Sequence, residues 1–153
     1  MTGLLINAVP KTSFDLGGLF QNSTTVSLQI PLAGPIDALD FIDAYLVVRV
    51  HQLTITNDGD LISVGLYSDG FLDSQTGAMA ITSFARVDID NESMAPALLI
   101  AGAPVVGTYV AVGISGTRIS TPPSTIAATI SVDVLLRGPD ATPLDLVREV
   151  LAR

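Results

Sequence analysis

The sequence predicts an all-β protein: an antiparallel β-sandwich or jelly roll of about eight strands with a short C-terminal amphipathic helix. Three observations predict it. Apolar residues recur at every second position along most of the chain, the period of a half-buried strand. Clusters of Gly, Pro, Asn and Asp interrupt these runs every 10 to 15 residues or so, as in sandwiches and barrels. The forty residues 93–132 carry a single charge, Arg118, yet Pro96, Gly102, Pro104, Gly107, Gly113 and Gly116 punctuate them. A membrane helix would be broken by that punctuation and its freed backbone left unsatisfied in lipid. The run is therefore sheet and turn.

The elements follow in order. Residues 1–20 begin with Leu4-Leu5-Ile6 and reach a Gly17-Gly18 break, which suits either an arm laid on a neighbour or an edge strand. The sandwich itself is expected over 21–138. Val26, Leu28 and Ile30 alternate with polar residues up to Pro31, and a turn is expected at Ala33-Gly34-Pro35. Phe41 to Thr56 is the longest strand signal. Leu46, Val48 and Val50 share one face, but Leu53 and Ile55 continue it with opposite parity, so a β-bulge is predicted near His51-Gln52.

Asn57-Asp58-Gly59-Asp60 reads as a hairpin turn, because these residues tolerate positive φ. Ile62, Val64 and Leu66 follow, then a loop over residues 68–77. Strands are expected at about Met79–Ile89, Leu98–Ala101 and Tyr109–Thr117. The cleanest alternation comes last: Ile126, Ala128, Ile130, Val132, Val134 and Leu136 face one way, Thr129, Ser131, Asp133 and Arg137 the other. Residues 139–153 form a linker and helix, with Thr142 as N-cap and Pro143 in the first turn. Leu144, Val147 and Leu151, with Val150 beside them, make its apolar stripe. So short a helix must dock on something, its own sandwich or a partner.

Composition narrows the function. The 153 residues are 48% hydrophobic and 14% charged, against about 25% charged for an average soluble domain. Such a surface is wetted by Ser and Thr or covered by partners, and partners are the reading preferred here. Seven basic against fifteen acidic residues give a net charge of −8, which repels nucleic-acid phosphates. There is no cysteine, so disulfides, thiolate nucleophiles and Cys-based zinc sites are excluded. The first basic residue is Lys11, and no secretory signal is read at the N-terminus.

Catalytic signals are sparse, and a non-enzymatic protein without cofactors is expected. The one histidine, His51, shares strand parity with Asp43, Tyr45 and Arg49, but no Gly-x-Ser-x-Gly elbow accompanies it. Phosphate loops and dinucleotide fingerprints are missing from the sequence. Asp88, Asp90 and Glu92 alternate like oxygen ligands for calcium, but an EF-hand counted from Asp88 would place Ser93 and Leu99 where Gly and Glu are required. Tyr67, beside Phe71, is the best candidate platform for a sugar.

The strands Tyr45-Leu-Val-Val-Arg-Val-His51, Thr108-Tyr-Val-Ala-Val-Gly-Ile-Ser-Gly116 and Thr129-Ile-Ser-Val-Asp-Val-Leu-Leu-Arg137 carry a resemblance. In their style the chain resembles small β-sandwich proteins of virus particles, above all decoration or auxiliary subunits of tailed-bacteriophage heads and gene-transfer particles. The resemblance implies a homo-oligomer that binds a capsid or another virion protein and is located in the virion, assembled in the host cytoplasm. The expected interface comprises Leu4, Leu5, Ile6, Leu144, Val147, Val150, Leu151 and the small outward residues Ala127, Thr129 and Ser131, with Ala111 and Ser115 on the same uncharged face. The alternative is a glycan- or ligand-binding module whose loops form the site.

Overall fold

The computed structural model describes residues 3–16, 26–67, 85–90, 94–105, 108–118, 125–140 and 152. The expected C-terminal helix, with Leu144, Val147, Val150 and Leu151, lies outside these residues, as do residues 68–84, which hold Phe71 and the start of the strand expected from Met79. The described strands are β1 (Gly3–Asp15), β2 (Val26–Asp37), β3 (Asp43–Ile55), β4 (Leu61–Tyr67), β5 (Ala85–Ile89), β6 (Ala97–Pro104), β7 (Tyr109–Arg118) and β8 (Ile126–Arg137).

They form two four-stranded sheets, ordered β1-β8-β3-β6 and β2-β7-β4-β5. The antiparallel pairs β1–β8, β2–β7, β3–β6 and β4–β5 describe one long hairpin whose successive rungs fall in alternate sheets. Rolling that hairpin sets β8 against β3 and β7 against β4. This wiring is the jelly roll.

The period-two pattern fills the space between the sheets. Leu46, Val48 and Val50 of β3 meet Ile126, Ile130, Val132, Val134 and Leu136 of β8, with Ile62, Val64, Leu66, Val112 and Ile114 opposite, all buried. Each such side chain removed from water contributes about 1.5–3 kcal/mol, so this face holds the fold together. The parity change has the cause that the sequence implies. Val50 pairs with Ile130 and Gln52 with Thr129, so His51 is the extra residue of a bulge. Leu53 and Ile55 can then rejoin the inward face.

Three local readings differ from the structure. Gly59 does have positive φ, 88°, but the Asn57–Asp60 turn makes no hairpin: it carries the chain from β3 in one sheet to β4 in the other. Both sides of β3 are already taken by β8 and β6, a fact of distant pairing that turn chemistry does not encode. Ala33-Gly34-Pro35 is no turn between strands but part of β2, which stays paired to β7 as far as Asp37 through two register shifts. An edge strand tolerates proline, because the missing N–H faces outward. Finally, β6 is longer than the strand read at Leu98–Ala101, running to Pro104.

Gly3–Asp15, left open between arm and edge strand, is an edge strand on β8. Two charged residues, Asp60 and Arg118, are buried. The β4–β7 register, with Leu61 opposite Thr117, places both at the same end of the second sheet.

Candidate functional site

The outer face of the β1-β8-β3-β6 sheet gathers several of the side chains singled out above. Outward residues of β8 and β3 alternate with the core, and four polar links tie neighbouring strands there. Arg137 binds Asp43, its Nε donating to Oδ2 at 2.7 Å. That bond is the main reason its pKa is raised further. Arg49 Nη1 donates to Asp133 Oδ2 at 2.7 Å. His51 Nε2 and Ser131 Oγ are 3.0 Å apart, and the hydroxyls of Ser13 and Thr129 are 2.8 Å apart.

Beside this ladder a second, small apolar cluster sits on the same outer face: Val47 and Leu135, packed with Leu5 and Tyr45. Further out, Leu98 is 45% and Ile100 51% exposed.

A cleft of about 260 Å³ opens at one end of the face, between Ser13, Phe14 and Asp15 of β1, Gln52, Leu53 and Thr54 of β3, and Ala127, Ala128 and Thr129 of β8. Hydroxyls, one amide and one carboxylate line it, a set that can hydrogen-bond a polar surface.

The sheet does bring His51, Ser131 and Asp133 onto one face. Asp133, however, is bound by Arg49, and the imidazole of His51 contacts Ser131 instead. Sequence parity on β3 identified Asp43, Tyr45 and Arg49 as companions of His51, but not Ser131, whose proximity depends on the β3–β8 pairing.

The expected interface residues separate. Ala127, Thr129 and Ser131 all lie on this outer face, half-buried between β1 and β3. Leu5 joins the outer cluster, whereas Ile6 packs on the main core and Leu4 is 39% exposed. Ala111 and Ser115 belong to β7 in the other sheet, so they do not share a face with Ala127. Ala111 is also buried, beneath Gly34 of β2.

Tyr67 is 4% exposed, which removes it as a sugar platform. Burial raises its pKa, and nearby Arg86 partly offsets the rise. Of the acidic trio, Asp88 accepts a hydrogen bond from Ser63 and pairs with Arg86, Asp90 is exposed, and Glu92 lies outside the described residues. Among the described residues, no three His, Asp or Glu side chains are grouped as metal ligands would be. Nor is any helix among them long and apolar enough to cross a membrane.

No protein-family model matches the chain, and no curated protein matches it significantly. Its fold is similar to that of VP2 in the subviral particle of infectious bursal disease virus, with a TM-score of 0.51 and 16% identity over 88% of this chain and 31% of that one. The structure of the Gx strain of the same virus matches with a TM-score of 0.48 and 14% identity, over 90% of this chain and 33% of that one. Cocksfoot mottle virus matches at 0.37 and 13% identity, over 88% and 93%. The chain thus spans about a third of the length of the bursal disease virus chains. At such identities the common property is the fold alone.

Proposed function

We propose that this protein is a non-enzymatic structural component of a virion, which self-associates and decorates or cements a capsid-like shell. The observation that carries the reading is the pairing of jelly-roll wiring with an outer sheet face on which Leu98 and Ile100 stand exposed, while Arg49 and Asp133, and Arg137 and Asp43, are paired between strands. A particle-forming protein, VP2 of infectious bursal disease virus, shares the fold. The polar ladder is consumed by links between strands, so it stiffens the sheet instead of preparing a nucleophile. The net charge of −8 suits a face turned away from packaged nucleic acid.

On this reading Ala127, Thr129 and Ser131, the β1 residues Leu4, Leu5 and Ile6, and the stripe Leu144, Val147, Val150 and Leu151 contribute contacts to neighbours. The shell would be that of a tailed-phage head or a related gene-transfer particle. Sedimentation velocity and electron microscopy of the purified chain at micromolar concentration test it. Oligomers or shells, or co-sedimentation with capsids, are expected. A compact monomer that binds no particle overturns the proposal.

A further inference from the structure

The four sheet edges are not alike. β1 carries Pro10, Lys11 and Asp15 and two register shifts. β2 carries Pro31, Pro35 and Asp37 and two shifts. β5 has only five residues, with Arg86 and Asp88 pointing outward. These are the devices that keep a sheet edge from pairing with another chain. β6 has fewer of them: its one proline, Pro104, is its last residue, and the strand carries no charge and keeps an unbroken register with β3 from Asp43↔Pro104 to Val50↔Ala97.

Its inward residues Leu99 and Ala101 stay half-buried, unlike those of β8, and Leu98 and Ile100 stand exposed on the other side. An edge strand also presents backbone N–H and C=O groups on the side away from its neighbour.

From this edge we infer that a second copy of the chain pairs antiparallel along β6, joining two sheets into one of eight strands; the inference rests on the self-association reading and gives it a surface. Charge selects a copy of itself as the occupant. In a chain of net charge −8, most surfaces bring carboxylates together when two copies meet, but residues 93–117 contain no charged side chain. Proline sets the register. Pro96 and Pro104 cannot donate to a ladder, so 97–103 is the stretch free to pair, and its midpoint is Ile100.

A two-fold axis there sets Ile100 against Ile100 and Leu98 against Gly102. At Gly102 the ring of Tyr45 fills the space that a Cβ would take, so Leu98 of the copy meets an aromatic surface instead of a side chain beside it.

The Cys-free sequence makes the test direct. With Ile100→Cys, two opposed cysteines in paired strands lie at disulfide distance, so mild oxidation should give a covalent dimer that reductant reverses. Leu39→Cys, at a residue 69% exposed in a turn, should not cross-link. Ile100→Lys places two ammonium groups against each other and should reduce the wild-type oligomer to monomer by sedimentation velocity, with an unchanged circular dichroism spectrum because Ile100 is exposed. If the wild type is oligomeric but Ile100→Cys fails to cross-link and Ile100→Lys leaves the oligomer intact, this edge is wrong while self-association stands. A wild type that stays monomeric overturns both.

Discussion

Arg49 and Asp133, 84 positions apart, meet at 2.7 Å on neighbouring strands of the outer sheet face. Asp133 is only 6% exposed, so its carboxylate depends on the guanidinium. Arg49→Ala should cost about 2 kcal/mol, between the values for surface and buried pairs. Replacing both partners with apolar residues, as in Arg49→Met with Asp133→Leu, should recover most of the loss. Urea denaturation of the two single variants and the double variant measures this coupling.

Core packing should dominate over such polar links. Ile130 is fully buried between the sheets, beside Val50. Ile130→Ala should destabilise by about 2–5 kcal/mol through lost burial and the cavity left behind. In the same urea experiment, a cost below that of Arg49→Ala would contradict this ordering.

Gly34 is in the left-handed region, φ 119°, with a Cβ position only 2.7 Å from the Cβ of Ala111. Gly34→Ala therefore combines backbone strain with a collision at the β2–β7 seam. A loss of about 1–3 kcal/mol is expected from the strain alone. Thermal melts compared with Gly59→Ala, whose φ is also positive at 88°, isolate the contribution of the collision.

Alkaline stability should depend on Tyr67. Burial raises its pKa in the fold above the ordinary 10.0, so the folded chain holds the phenolic proton where the unfolded chain releases it. The unfolded state then binds fewer protons, and stability falls as pH rises. Stability should be level below about pH 10 and decline above it. Tyr67→Phe should flatten that decline, which melting temperatures at pH 8 and pH 11 will reveal.

Much of this fold is legible along the chain because alternation is a local property. The inward residues of β8 and β7, and the bulge at His51, follow from counting positions, since each side chain points opposite to the next. The edge strand at Gly3–Asp15 was readable only as one of two arrangements. The Asn57–Asp60 turn is not distinguishable along the chain from a hairpin, because positive φ serves a hairpin and a sheet crossing equally well.

The candidate site was less legible. Ala127, Thr129 and Ser131 were recognisable as an uncharged outward face, but Ala111 and Ser115 belong to the opposite side of the molecule. The burial of Tyr67 and the His51–Ser131 contact have no signature in the sequence, and the uncharged run 93–117 does not tell that β6 lies at a sheet edge.

By itself, then, the sequence determined which residues of each strand face inward, and hence an all-β sandwich with a surface poor in charge. The tertiary structure decided which strands are neighbours, which of them lie at an edge, and which outward residues share a face. Periodicity acts between adjacent residues, whereas sheet order is set by the burial of whole faces and by pairing between strands far apart in the chain, as Arg49 and Asp133 are.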